Sequence, residues 1–334
     1  MTQAIDPRHR VLGFMVGWII VLRKHVESMV VIGQEVGSEA RGLIGSNVHI
    51  ETLGKEKNVP RWKQVLRFVS ILIHQRKEYG VIFIHMTPIW AIIAWPIAVI
   101  FQKKLILWYE APGRGWNVRL ATFMVDKILS ATPGVVQGTT KQRVIGHGID
   151  TDLFKSHSQE RTPRTLISVG RVTPVKRYHV LLRILRDLGD GYTLTIVGTA
   201  FTESDKRERE RLLQLVEEYQ LQHRLMWTQC DHSELPKIYN RSWIYVHTAD
   251  SCLDKALLEA MACGTLCLSC APKIQGSIPA ITRSTEASLV NDIQSLCGIS
   301  SEEYERKGSV LRAFVEEHHS LSTLPNRILT ECRD

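Results

Sequence analysis

The chain has no internal repeat and no low-complexity tract, which excludes a repeat array and a long disordered segment. It also lacks a disulfide framework. Its seven cysteines are an odd, scattered set, and Cys267 and Cys270, the one C-x-x-C, have no second Cys/His pair at ligand spacing. That pattern argues against a stapled secreted fold and against zinc. The pair lies in the apolar run LCLSC and is expected in a buried strand. No convincing targeting or spanning segment is present either. Residues 11–22 (VLGFMVGWIIVL) follow basic residues, as a signal peptide would, but no small-residue cleavage site follows. Residues 81–101 are long enough to cross a bilayer, yet contain His85, Pro88 and Pro96. A strand to about Ile84, a turn and an apolar helix explain the run without a span, with membrane contact left open. A reducing, cytoplasmic setting is expected.

What is present fits a folded globular protein: 44% hydrophobic and 23% charged residues over 334 positions, enough for two domains. The net charge of +8 is uneven. Residues 1–150 hold 19 Lys and Arg against 10 Asp and Glu, and the remainder 23 against 24. A basic first half suits an anionic partner, whether nucleic acid, a phosphorylated substrate or an anionic membrane face; a merely solvated basic surface is the alternative. Nucleic acid is the weakest of these, because no recognised motif accompanies the charge.

Short apolar runs alternate with helical patterns. Residues 28–33, 81–85, 104–109 and 127–131 read as strands in the first half. Residues 165–170, 193–198, 225–228, 243–247 and 265–269 read as strands in the second, with helices at 178–188, 203–220, 233–240 and 254–263 between them. Over 61–77 the spacing of Trp62, Val65, Leu66, Val69, Leu72 and Ile73 predicts an amphipathic helix, with Arg61, Lys63 and Arg67 around it. Strands alternating with helices predict parallel sheets and helical crossovers. A polar stretch at 155–164 reads as a linker, so the expected organisation is an N-terminal domain over 1–154 and a C-terminal domain over 164–334, the last helix returning to the first. Two such Rossmann-like domains would face a ligand-binding cleft.

In SVGRVTPVKRYHVLL (168–182) a strand ends at Gly170, and Arg171 and Lys176 stand in the loop before a helix. Two cations at a strand's carboxyl end suit a diphosphate, although a solvated basic loop would look the same. In WIYVHTADSCLDK a strand leads to a helix start. Asp254 can cap that helix and Gly264 can end it, and its first-turn amides attract anions. Glu259, among Leu257, Leu258, Ala260 and Met261, is a poor candidate for a solvated glutamate and a good acceptor for sugar hydroxyls.

These segments, with LTIVG, HSELPKIYNRSWIYVHTADS and LDKALLEAMACGT in that order over roughly residues 164–270, resemble the donor-binding domain of family 4 retaining glycosyltransferases of the GT-B fold. The resemblance implies that Arg171 and Lys176 hold the donor diphosphate, that Glu259 takes the nucleotide ribose, and that Thr228–Cys230 line a nucleobase slot. By the same resemblance Gly170, Ser251, Leu253, Asp254 and Lys255 border the donor. The family's usual pair of glutamates eight positions apart is broken, since Ser251 stands where the first is expected. More loosely, residues 11–22 resemble the family's glycine loop, with Gly13 approaching phosphate. VIFIHMTP, LWYEAPGRG and VIGHGIDTDLF resemble its next strand ends. His85, Glu110 and His147 are then candidate sugar or acceptor contacts, with Ala111 where relatives carry a histidine. The family's opening strand is expected to be missing, because only MTQAIDPRHR precedes the loop.

The resemblance implies an enzyme: a hexosyltransferase of polysaccharide biosynthesis moving a sugar from a GDP- or UDP-sugar to a glycan or lipid-linked hydroxyl, with retention and without a metal or other cofactor. The acceptor would lie on the basic N-terminal domain. Trp62 with Arg61, Lys63 and Arg67 would meet an anionic lipid surface on the inner face of the plasma membrane, unless that helix simply covers a sheet with a basic rim. A catalytically impaired sugar-nucleotide or glycan-binding module is the alternative from another class, and a nucleotide-sugar epimerase is a second.

Overall fold

A computed structural model describes residues 1–9, 11–45, 47–111, 115–157 and 161–333. Residues 158–160, in the stretch read as a linker, and 112–114, in LWYEAPGRG, lie outside it. The chain divides into two compact units: residues 1–148 with 321–334, and residues 149–320.

Unit 1 contains β1 (Thr2–Ile5), β2 (Met29–Val36), β3 (Val48–Thr52), β4 (Val81–His85), β5 (Lys104–Trp108), β6 (Lys127–Ser130) and β7 (Gln142–Val144). All pairings are parallel, in the orders β1-β2-β3 and β4-β5-β6-β7. The His85 N–H donates to the Met1 carbonyl at 2.9 Å, so β1 abuts β4. The opening strand expected to be missing is therefore present, as a correction to the reading above: β1 is only four residues, TQAI. It pairs with β2 from Thr2 opposite Gly33 to Ile5 opposite Val36, and Ala4 and Ile5 are fully buried. Its helices are α1 (Phe14–Leu22), α2 (Ala40–Ile44), α3 (Arg61–His74), α4 (Pro88–Ile100) and α5 (Trp116–Met124). One core gathers Trp18, Ile106, Trp108 and Leu129; another gathers Ile5, Ile19, Val31 and Ile50.

The helix read over 61–77 is α3, but it is turned from the expected face. Gln64, Phe68 and Leu72 are buried, whereas Trp62 and Leu66 are each 61% exposed. The inward Gln64 is accommodated because its amide donates to the Val59 carbonyl at 2.7 Å.

Unit 2 contains β8 (Thr162–Val169), β9 (Thr193–Val197), β10 (Leu225–Thr228), β11 (Ser242–His247) and β12 (Leu266–Ser269), with α6 (Tyr178–Asp187), α7 (Glu203–Glu218), α8 (Leu235–Arg241), α9 (Lys255–Ala262), α10 (Leu289–Cys297) and α11 (Ser301–His319). The strands pair in parallel, in the order β10-β9-β8-β11-β12. Strand order reverses between β8 and β11, the point where an open parallel sheet parts its loops and leaves a crevice. The runs read as strands form one layer whose core lies along β8, β9, β11 and β12, with the edge strand β10 partly exposed. Cys267 and Cys270 are both buried here. The last helix, α12 (Leu324–Arg333), belongs to unit 1, where Leu324 and Ile328 join the Trp18 core.

Candidate functional site

The loops after β8 and β11 meet at the reversal point of unit 2. Gly170 has φ +150, and a side chain there would occupy the space taken by the Lys176 Cε and Nζ. A methyl on Gly198, at the end of β9, would overlap the Gly170 carbonyl. The two glycines thus let β8 and β9 close together while the Lys176 stem folds back across the strand end. Tyr178 Oη donates to the Gly170 carbonyl at 2.9 Å and Tyr245 Oη to the Val169 carbonyl at 3.4 Å. The two loops are stitched by Thr248 Oγ1 donating to the Lys176 carbonyl at 2.8 Å and by the Asp250 N–H donating to the Val175 carbonyl at 2.9 Å.

Lys176 Nζ lies 2.6 Å from Asp254 Oδ2, and His247 Nε2 lies 3.1 Å from the same oxygen. His247 is buried, and its Nδ1 is hydrogen-bonded to Ser269 Oγ at 2.9 Å. A chain Ser269–His247–Asp254–Lys176 therefore runs from the strand floor to the helix start. Burial by itself would raise the Asp254 carboxyl. The Lys176 ammonium and the His247 hydrogen bond outweigh it and hold that carboxyl below the usual carboxylate range. Asp254 stands at the N-cap position of α9 with extended backbone, but its side chain makes no cap hydrogen bond. The expected capping role is thus replaced by an ion pair, because a nearby ammonium is a stronger partner for a part-buried carboxylate than a backbone amide.

Around α9, Glu259 is buried and its Oε1 lies 2.9 Å from His232 Nε2. Burial would lower the His232 pKa, but the Glu259 carboxylate raises it above its ordinary value. Lys255, one turn before Glu259 on the same face, is pushed down to about 7 by burial, with Glu259 opposing the shift. Leu253 is buried, and Ser251 Oγ donates to the Cys252 carbonyl at 3.0 Å. Thr228 ends β10, with its carbonyl accepting from Gly198 N–H at 2.9 Å, and Cys230 beyond it is exposed. Arg171 follows Gly170 but turns elsewhere: its Nε lies 3.7 Å from Asp205 Oδ2 in the first turn of α7, with half the side chain exposed. The arrangement can present an ammonium, a helix start and a buried carboxylate to one ligand.

The candidates in unit 1 have structural surroundings. His85 is buried, stacked on Trp108 at 6.4 Å and edge-on to Trp18 at 5.7 Å. His147, also buried, lies 6.2 Å from the Trp108 ring. Glu110 accepts from the Ala131 N–H at 2.6 Å and the Thr132 N–H at 3.2 Å, and also from the Thr132 hydroxyl. Its carboxylate is engaged in holding that loop rather than open to an acceptor. Gly13 is αR, and a side chain there would press on the Pro7 carbonyl at 2.6 Å; crowding within the chain accounts for this glycine. Asp150 and Asp152, spaced like a metal-binding pair, form a turn in which Asp150 Oδ1 accepts from the Asp152 and Leu153 N–H groups at 3.1 and 3.0 Å.

Residues 150–279 match the family model Glycosyl transferases group 1. No curated protein sequence matches the chain. Among solved structures, HepE of Anabaena in complex with UDP and glucose is similar at TM-score 0.79 and 15% identity, covering 100% of this chain and 99% of that one. Sucrose-phosphate synthase of Thermosynechococcus elongatus is similar at TM-score 0.81 and 17% identity, covering 100% and 98%. A glycosyltransferase of Rickettsia africae is similar at TM-score 0.77 and 14% identity, covering 99% and 96%. The fold is the α/β GT-B fold with parallel sheets, and unit 2 carries the glycosyl transferases group 1 match.

Sequence reasoning missed His247, Ser269 and His232. His247 closes the run WIYVH, so its place at a strand's carboxyl end was a readable signal. His232 opens the segment HSELPKIYNRSWIYVHTADS, but its pairing with Glu259 spans 27 positions and no local pattern shows it.

Proposed function

We propose that the protein is a glycosyltransferase that moves a sugar from a nucleotide-sugar donor, UDP- or GDP-linked, to a hydroxyl of a glycan or lipid-linked acceptor, with retention of configuration. The observation that carries this reading is the Lys176 ammonium held at the start of α9, at the sheet's reversal point, with the buried Glu259 on the same helix. The crystal structure of HepE with UDP-glucose makes the UDP-sugar the first donor to try.

In the proposed reaction Lys176 is shared between Asp254 and the donor diphosphate, whose far oxygens meet the first-turn amides of α9. Arg171 would supply a second cation from the same loop only by leaving Asp205, and Glu259, oriented by His232, accepts the ribose hydroxyls. The bond from the anomeric carbon to the phosphate oxygen breaks with its electrons passing to the phosphate. The acceptor oxygen bonds to the anomeric carbon on the same face, and its proton passes to the departing phosphate. Lys176 and the helix start stabilise the charge that grows there, and the reaction needs no metal or cofactor.

A second reading, donor binding without transfer, is supported by Ser251 donating to its own neighbouring carbonyl and by Asp254 already pairing with Lys176. The test is a panel of UDP- and GDP-sugars with purified protein, followed by thermal unfolding and nucleotide release. A bound donor at about a hundred times its Kd should stabilise the protein by about 2.7 kcal/mol. Stabilisation with acceptor-dependent release supports transfer, stabilisation alone supports the second reading, and neither would defeat both.

A further inference from the structure

The apolar face of α3 that the fold leaves unused has exposed apolar neighbours on the helices packed in sequence beside it. Trp62, Leu66 and Ile73 are exposed, with Val69 between them in the stripe. That is the i, i+4, i+7, i+11 progression of one helical face. Lys63, Arg67 and His74 are exposed beside it, roughly a third of a turn away. The Lys63 ammonium lies 5.3 Å over the Trp62 ring. Next to α3 packs α4, with Phe68 and Trp90 in edge contact at 4.9 Å. It has no charged residue and exposes Ile89, Val99 and Ile100, the last by 70%. Also packed against α4 is α5, which exposes Trp116 and Phe123 by 69% and 79%, with the exposed Arg119 between them.

The chain has 34 Asp and Glu, and none falls within these three helices. Exposed large apolar side chains on neighbouring helices, with basic residues and no carboxylate on the helices themselves, form a surface that water wets poorly and that favours an anionic partner; the exposed Glu78 and Asp126 stand just past the ends of α3 and α5. None of these helices, nor any other among the described residues, is long and apolar enough to cross a membrane. A basic protein partner would be repelled. An acidic protein would satisfy the lysine and arginines but would have to supply a matching apolar face for three helices. An anionic bilayer supplies both terms at once: phosphates for Lys63, Arg67 and Arg119, and acyl boundary for Trp62, Ile100, Trp116 and Phe123.

We infer that the exposed face of α3, α4 and α5 docks on the surface of an anionic lipid bilayer, with these side chains entering the headgroup boundary and no segment spanning it. The inference goes beyond the donor-site reading and does not depend on it, since no nucleotide or acceptor enters the argument.

The test is flotation of the full chain with vesicles of phosphatidylcholine alone and of phosphatidylcholine with phosphatidylglycerol, at low and high salt. Three proteins are compared: wild type, Lys63→Glu/Arg67→Glu and Trp62→Ser/Phe123→Ser. All four substituted positions are exposed, so the unfolding midpoints should match, and circular dichroism confirms it. Wild type should float with the anionic vesicles and not the neutral ones. Its partition constant should fall with salt, and about fivefold for each positive charge removed; the aromatic variant should lose binding at all salt concentrations. Wild type left in the unbound fraction, or variants that float as wild type does, would overturn the inference. So would light scattering that shows a dimer dissociated by the same substitutions, since the occupant would then be a second copy. Nucleotide-sugar stabilisation, measured in parallel, fails or succeeds independently.

Discussion

At Gly170 one space is contested by a possible side chain and by the Lys176 stem. Gly170→Ala should displace the ammonium more than it harms the fold, because the obstructing atoms are the far end of a flexible chain. The expected result is loss of donor-induced stabilisation with about 1–2 kcal/mol of lost stability, the latter from the strained φ. Gly198→Ala meets a backbone carbonyl that cannot step aside, so its loss in urea unfolding should be the larger, about 3 kcal/mol. Asp254 makes a claim about pH. Its folded carboxyl is held below the unfolded value of 3.8, so its contribution is full above that value and fades as pH falls through the folded one. Thermal melts of wild type and Asp254→Asn should therefore differ most near neutrality and converge in strong acid; a gap that widens on acidification would contradict the ion-pair account. At this scale the sequence announced Lys176 and Asp254 by their places after a strand end and at a helix start, and Glu259 by the apolar residues around it. It did not announce their pairing, because Lys176 and Asp254 are 78 positions apart and only the order of strands joins them.

Elements were legible where hydrophobic runs were continuous and obscure where they were short or mixed. β4 over Val81–His85 and β11 over Ser242–His247 stand out as apolar runs. β1 (TQAI), β3 (VHIET) and β7 (QRV) do not, since each is at most five residues and carries polar positions. The direction of α3 was obscure for a different reason. Periodicity counts Trp62 and Leu66 as inward and Gln64 as outward, and cannot see the Val59 carbonyl that satisfies Gln64 inside. Helix ends were easier. Gly264, at φ +68, ends α9 with its N–H on the Met261 carbonyl. At α7 the Thr202 hydroxyl accepts from the Asp205 N–H at 3.2 Å, while the Asp205 carboxylate accepts from the Thr202 N–H at 3.1 Å. Thr202→Ala should lower stability by about 1 kcal/mol, measured by urea unfolding; no change would mean the box is not formed in solution.

The whole molecule is two units with separate cores, and the chain returns to the first through α12. Deleting residues 321–334 removes Leu324 and Ile328 from the Trp18 core. At about 1.5–3 kcal/mol for each buried side chain, it should lower the unfolding midpoint of unit 1, seen by tryptophan emission from Trp18 and Trp108. Donor-induced protection from proteolysis within residues 149–320 should persist. Loss of both together would mean the units do not behave separately. The excess of positive charge in residues 1–150 likewise belongs to unit 1 and not to the unit that carries the glycosyl transferases group 1 match. The account as a whole stands on the cluster at the reversal point of unit 2, and calorimetric titration of UDP into wild type and Lys176→Ala addresses it most directly. Loss of a charge-assisted contact worth about 1.5–3 kcal/mol should weaken binding roughly ten- to over a hundredfold in the variant. Equal affinity in the two proteins, or no binding of UDP or GDP to wild type, would contradict it.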